Sequence, residues 1–273
     1  DFKVKSLDGV ADDWPIDYQQ LEPYYNLNDR IIGVSGLEGN PAYPPKKSHL
    51  PPLPVGKKGD VIARGFNKLG WHWWPSDSAI ISQPYEGRDK CINLSTCISG
   101  CTQGAKSSAD VTYWPLALRR KGVELKTNCR VREITINKQG MADGVVYYDG
   151  EGRENRQKAE VVILACSAIG TPRILLNSTS QMFPNGLSNR SGMVGKHLML
   201  HPWCRADGYF EEGLDANIGP VSCNITSHEF YETDMTRGFV RGLGLQIGNE
   251  APLLGTALGM PWGASHHEMF SKY

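Results

Sequence analysis

What this sequence has little of narrows it first. It carries no excess of either charge: 29 Lys and Arg balance 29 Asp and Glu over 273 residues. A balanced chain leaves no electrostatic footprint for nucleic acid or an anionic membrane surface. No apolar run approaches the roughly 20 residues of a helical membrane span, so nothing in it crosses a bilayer as a helix. Seven cysteines, an odd number in a chain of this length, exclude a complete disulfide framework. A dinucleotide fingerprint is missing too, since Gly242-Leu243-Gly244 lacks the third glycine and the strand-to-helix context. His266-His267-Glu268 lacks the second His that helical i,i+4 zinc ligation needs. No leader is visible, and the first residue is Asp1 instead of Met, as in a fragment or a processed chain.

What is present is ordinary globular composition, 40% hydrophobic and 21% charged. That is enough for one large domain or two. The stretch that organises it runs from Val123 to Ser178. Val123 to Ile136 alternates and is β-branched, Gly144 to Asp149 predicts a second strand, and Gly150-Glu151-Gly152 is a turn signal. Val161-Val162-Ile163-Leu164 is apolar without alternation, which predicts a strand covered on both faces, as in the parallel sheets of α/β domains. After the small-residue turn Ala165 to Gly170, Thr171-Pro172 predicts a helix start. Such a strand-turn-helix either aims backbone N–H groups at a phosphate or simply packs a helix closely on a sheet.

Upstream, Asp17 caps a predicted short helix with Leu21, Tyr24 and Tyr25 on one side, a docking helix. Six prolines between Pro41 and Pro54 predict an extended, rigid excursion. Asp60 to Leu69 has helical spacing with Gly70 as C-cap. Trp71, Trp73 and Trp74 follow, as core or as a ring-stacking platform. Cys91, Cys97 and Cys101 share one loop, with five residues between the first pair and three between the second. Thiolates so close can converge on a soft metal, and three suit an incomplete iron-sulfur cube, whereas zinc wants a fourth ligand. Buried thiols or one disulfide account for them equally simply. Val111 to Arg120 predicts a helix with a basic end. Arg205 to Phe210 and Phe239 to Ile247 predict strands of a separate antiparallel sheet.

Several of these pieces, in this order, resemble one family. Cys129-Arg130-Val131-Arg132-Glu133-Ile134, the following Gly-Val hairpin and VVILACSAIGTPRILLNS resemble the middle of the glucose–methanol–choline flavoprotein oxidoreductases. DWPIDYQQLEPYYN with its later GVSG is similar to the flavin-covering segment of cytochrome-linked members, and VGKHLMLHP resembles a further element, with Leu200 in place of the usual Asp. The resemblance covers about Asp12 to Pro202. It implies an incomplete α/β FAD-binding domain of Rossmann-like type, with part of an α+β antiparallel substrate domain. The expected division is a flavin-covering and loop region at 1–110, the central FAD-binding segment at 111–200 and the start of the substrate domain at 201–273.

The same resemblance assigns residues. Val131 would meet the FAD adenine through its backbone, and Ala165, Cys166 and Ser167 would lie beside the cofactor, with Cys166 standing where many members have Gly. The cysteine spacing is similar to that of glucose, gluconate and fructose dehydrogenase catalytic subunits, which implies that Cys91, Cys97 and Cys101 hold a 3Fe-4S cluster; the filler, CISGC then TQGAKSS, departs from theirs. His201 is structural in the family, and no catalytic residue is expected in this chain. Without the glycine fingerprint and the late catalytic His, the expectation is an internal piece of a chain roughly twice as long. Its parent would oxidise a CH–OH group of a small-molecule alcohol or sugar by hydride transfer to flavin, then pass electrons to a cytochrome or quinone, with a cytochrome or small subunit as partner. The alternatives are a non-catalytic interaction protein on a decayed flavoprotein scaffold and a disulfide-reducing flavoprotein, the latter disfavoured for want of a C-x4-C pair.

Overall fold

The computed structural model describes residues 2–206, 208, 210–215, 217–220, 223–248, 258–259 and 262–270. In chain order its elements are α1 (Val4–Asp8), α2 (Tyr18–Ile32), α3 (Gly56–Leu69), β1 (Trp74–Pro75), α4 (Tyr113–Leu118), β2 (Arg130–Ile136), β3 (Ala142–Tyr148), β4 (Glu154–Lys158), α5 (Ser167–Asn177), β5 (Cys223–Phe230), β6 (Leu243–Gly248) and α6 (Ala264–Phe270). They fall into two compact units, 1–121 with 209–273, and 122–208.

In the first unit the antiparallel sheet has the order β1-β5-β6, with Trp74 opposite Thr226 and Ser227 opposite Leu245. The apolar face of α3 lies against it. Ala63, Phe66 and Ile225 form that core, joined by Trp71, Trp73, Leu245 and Ile247. Trp71 and Trp73 therefore pack on the core: Trp71 meets Phe66 and stands edge-on to Phe230, and the Trp73 indole donates to Asn67, whereas the Trp74 indole donates to the Leu37 carbonyl. A second cluster, Leu50, Ile81 and Ala105, gathers Tyr85, Cys91 and Cys101. The α3 C-cap is Gly70 at φ 69, a left-handed conformation that glycine adopts without Cβ strain. The stretch from Pro41 to Pro54 contains no helix.

Asp17 caps α2 through a full capping box, its carboxylate accepting from Gln20 N while the Gln20 side chain accepts from Asp17 N. The helix is longer than the short one expected, at 15 residues, and none of it is buried. What holds it is its C-terminal half: Asn28 accepts from the Tyr113 hydroxyl, the Arg30 carbonyl from Tyr85, and the Ile32 carbonyl from Arg88.

In the second unit β2, β3 and β4 form a three-stranded antiparallel sheet in that order, with Val131 opposite Tyr147, Ile134 opposite Val145 and Val146 opposite Arg156. Asp149 builds the predicted turn, its carboxylate accepting from the N–H groups of Glu151 and Arg153. Several expectations are corrected here. The first strand covers only Arg130–Ile136, with no strand over 123–129. The third strand is polar Glu154–Lys158, whereas Val161 to Leu164 joins no strand among the described residues; Val161 is 74% and Ile163 84% exposed. All pairings within both sheets are antiparallel, so the expected parallel strand is not found among the described residues.

The following helix starts at Ser167, four residues before Thr171-Pro172. Thr171 instead turns its hydroxyl back to accept from Cys166 N at 3.2 Å, and Pro172 lies inside the helix. The helix predicted over Val111 to Arg120 is confined to α4, and the strand predicted over Phe239 to Ile247 begins only at Leu243. No strand forms at the described residues between Arg205 and Phe210; residues 207 and 209 lie outside the description.

Candidate functional site

The second unit brings the sequence-predicted cofactor residues onto two adjoining elements. β2 is an edge strand, and Val131 on it is 37% exposed. The register advances from Val131 opposite Tyr147 to Glu133 opposite Val146, which makes Arg132 the extra residue of a bulge. A bulge bends the strand and re-aims its neighbours, and bulges recur beside binding sites. α5 packs against β2. The link is Ser178, 3% exposed, whose hydroxyl accepts from Ile134 N at 2.8 Å and donates to the Ile174 carbonyl at 2.6 Å.

Ala165, Cys166 and Ser167 sit at the other end of this helix and are exposed. Cys166 occupies the N-cap and makes no side-chain capping bond. The first turn of a helix has N–H groups without intrahelical partners, and here no side chain of the N-cap residue covers them. Ser167 is held left-handed at φ 63, a conformation that costs a residue bearing a Cβ about 1–2 kcal/mol. Gly170 fits beneath this turn because a Cβ there would lie 3.0 Å from Cys166 Cβ. A helix start exposed in this way can receive an anionic group, with Ser167 Oγ already accepting from Ile169 N at 3.5 Å.

Comparison with known proteins shows the family. Residues 53–203 match the family model described as GMC oxidoreductase, and the chain belongs to that family, whose members bind FAD. It is 41% identical to 2-methyl-1,2-propanediol dehydrogenase of Mycolicibacterium austroafricanum over 98% of this chain and 50% of that protein. It is 29% identical to the fructose dehydrogenase large subunit of Gluconobacter japonicus, over 74% of this chain and 38% of the relative. With the gluconate 2-dehydrogenase flavoprotein of Pantoea cypripedii the identity is 25%, over 83% and 40%. The chain thus spans half or less of the length of these relatives.

The cysteine loop lies in the first unit, and Cys91, Cys97 and Cys101 are all free thiols. Burial pushes the Cys91 thiol up, and the nearby Cys97 and Cys101 add to this. Partial burial also raises Cys101, but backbone N–H groups of Lys106, Gln103, Ala105 and Gly104 turned toward its sulfur outweigh it and leave this thiol below its ordinary value. Cys101 Sγ accepts from Lys106 N at 3.4 Å, and Lys106 Nζ donates to the Cys97 carbonyl at 2.9 Å. Among the described residues no group of three His, Cys, Asp or Glu is arranged to hold a metal ion, so the thiols do not form a cluster site as they stand. No helix of the described residues is long and apolar enough to cross a membrane.

His201 is exposed in irregular chain. A polar cluster that the sequence did not single out lies on β5. Tyr43 Oη and His228 Nε2 are 2.9 Å apart, His228 N donates to His72 Nδ1 at 3.3 Å, and His72 Nε2 lies 2.9 Å from Asn40 Oδ1. Its members are up to 188 positions apart, from Asn40 to His228, beyond the reach of any local pattern. Ser178 was equally hidden, since nothing local announces that a serine after a helix will reach across to a strand.

Proposed function

We propose that the whole protein is an FAD-dependent dehydrogenase acting on CH–OH groups of sugars or polyols, with the second unit holding the adenosine side of the cofactor. The observation that carries this reading is the exposed start of α5, where the N-cap residue supplies no side-chain cap, on a helix whose far end is tied through Ser178 to the edge strand that bears Val131. The Val131 backbone would face the adenine, and the first-turn N–H groups of α5 with Ala165, Cys166 and Ser167 would face the diphosphate side. When bound, FAD supplies a hydride acceptor for the carbinol carbon. The chain's own part is to bind and orient that group: Gly170 leaves room beneath the turn, and the bulge at Arg132 sets the strand edge.

Within this reading the Rossmann-like FAD domain takes its central part from 111–200, with a flavin-covering region at 1–110 and the start of the substrate domain at 201–273. The names of the relatives support a polyol or sugar substrate, and the large subunit of fructose dehydrogenase among them supports a partner subunit; a cytochrome or quinone as final acceptor belongs to the same proposal. A 3Fe-4S cluster on Cys91, Cys97 and Cys101 belongs to the same proposal, supported by three free thiols on one loop and requiring that loop to rearrange. Iron and labile sulfide analysis tests it: their absence from purified protein removes the cluster and leaves the flavin reading intact.

The deciding experiment is anaerobic spectroscopy of the whole protein. A flavin spectrum bleached by 1,2-diols, fructose or gluconate supports the proposal. Protein that binds no flavin, or flavin that none of these alcohols reduces, refutes it and favours a non-catalytic scaffold.

A further inference from the structure

Away from the flavin elements, the first unit encloses a cavity of about 560 Å³ between the C-terminal half of α2, the turn at Tyr85 to Arg88 and α4. Its volume lies in the range of small-molecule sites. Three arginines, Arg30, Arg88 and Arg119, line it against one acidic residue, Glu86. Such an imbalance is notable in a chain whose total charge is balanced.

Arg88 is half-buried, and every partner of its guanidinium is neutral. Nη1 donates to the Gly104 carbonyl and Ser107 Oγ, and Nη2 donates to the Ile32 carbonyl at 2.7 Å. These bonds fix its position without cancelling its charge, and burial disfavours that charge. Neither Arg30 nor Arg119 forms an ion pair among the described residues, although both are exposed and acidic side chains are plentiful. The Tyr85 hydroxyl donates to the Arg30 carbonyl, which holds the end of α2 over the cavity. The remaining wall is apolar, chiefly Val111, Pro115 and Leu116.

We propose that this cavity is a binding site for a small organic anion, a carboxylate or phosphate monoester with an apolar body. Its acid group would lie between the three guanidinium groups, and its body against α4. Arginine suits this role because its planar fork binds both oxyanions with two bonds and keeps its charge at any working pH. The site does not depend on the flavin assignment, since none of its residues belongs to the second unit.

The test is calorimetric titration of the whole protein, with its cofactor saturated, using phenyl phosphate, inorganic phosphate and phenol. Phenyl phosphate should bind more tightly than inorganic phosphate, and phenol least, with affinity falling as salt rises. Because Arg88 also fixes the fold, the variants are Arg30→Gln and Arg119→Gln. Each should weaken phenyl phosphate roughly two- to fivefold and the pair about tenfold, the scale of exposed charge pairs. Arg120→Gln, next in sequence but outside the cavity, should change nothing. Equal binding to wild type and the double variant overturns the proposal. So does phenol binding as well as phenyl phosphate, or no binding at all because other parts of the whole protein cover the arginines.

Discussion

Ser178→Ala removes the one hydroxyl that ties α5 to β2. In the wild type Oγ accepts from Ile134 N at 2.8 Å and donates to the Ile174 carbonyl at 2.6 Å, with the residue 3% exposed. The carbonyl loses little, because Ser178 N also donates to it as part of the helix C-cap. The donor loses its partner outright. An orphaned buried donor costs about 1–3 kcal/mol, and because Ile134 is half-buried the expected loss lies near the lower end, about 1–2 kcal/mol. For a protein of this size or larger that lowers the melting temperature by about 2–4 °C. Hydrogen exchange gives the local reading: the Ile134 amide should lose protection while β3 amides such as Val146 keep theirs. Ser191→Ala is the comparison, because its hydroxyl accepts only a 3.4 Å bond from Met193 N on an exposed turn. If Ser178→Ala melts with Ser191→Ala and the Ile134 amide stays protected, the seam between helix and strand does not depend on this hydroxyl.

Gly170→Ala should lower flavin affinity, because the new Cβ meets Cys166 Cβ at 3.0 Å; the same change in a Cys166→Gly background should be neutral or stabilising by up to about 1 kcal/mol, as alanine favours helix over glycine. Flavin titration of the two single variants and the double variant reads the coupling, and additive effects would count against the contact. Asp17→Ala should destabilise α2 by about 1 kcal/mol, seen as faster exchange at the Gln20 amide, while Asp17→Asn stays close to wild type. Burial, then the neighbouring His72, pushes the His228 imidazole below its ordinary 6.5. The unfolded chain therefore takes up a proton that the folded one resists, and this contribution to stability is present above pH 6.5 and lost progressively as pH falls below it. Melting temperatures across pH 5 to 8 check the sign, and a His228→Gln variant should flatten that part of the profile.

Features governed by neighbours in sequence were legible. The α2 capping box, the Gly70 stop after α3 and the Asp149 turn each join residues no more than four apart, so their signatures lie within one glance along the chain. Strand β4 was not, because Glu154–Lys158 is polar throughout and owes its place to partners on β3. Val146 lies opposite Arg156, and Arg156 pairs with Asp143 at 3.2 Å. Strand β5 depends on contacts of longer range still, since Thr226 meets a Trp74 that lies 152 positions earlier. Of the candidate site, Val131 and Ala165 to Ser167 were named through resemblance, and the Ser178 bridge that joins α5 to β2 was not.

Val161 to Leu164 shows what pattern alone leaves undecided. Its four apolar residues satisfy the composition of a covered strand, yet a strand also needs an open edge to join. β3 already has β2 on one side and β4 on the other. On β2, the outward N–H of Ile134 is taken by Ser178. β4 itself continues beyond Lys158, with Ala159 N donating to the Asp143 carbonyl, so the chain leaves this sheet still committed to β3. The run emerges with Val161 and Ile163 exposed and leads directly into the exposed start of α5. Composition marks a segment as able to form a strand, and backbone partners decide whether it becomes one; here β3 has both sides filled by β2 and β4, and among the described residues no strand forms over 161–164.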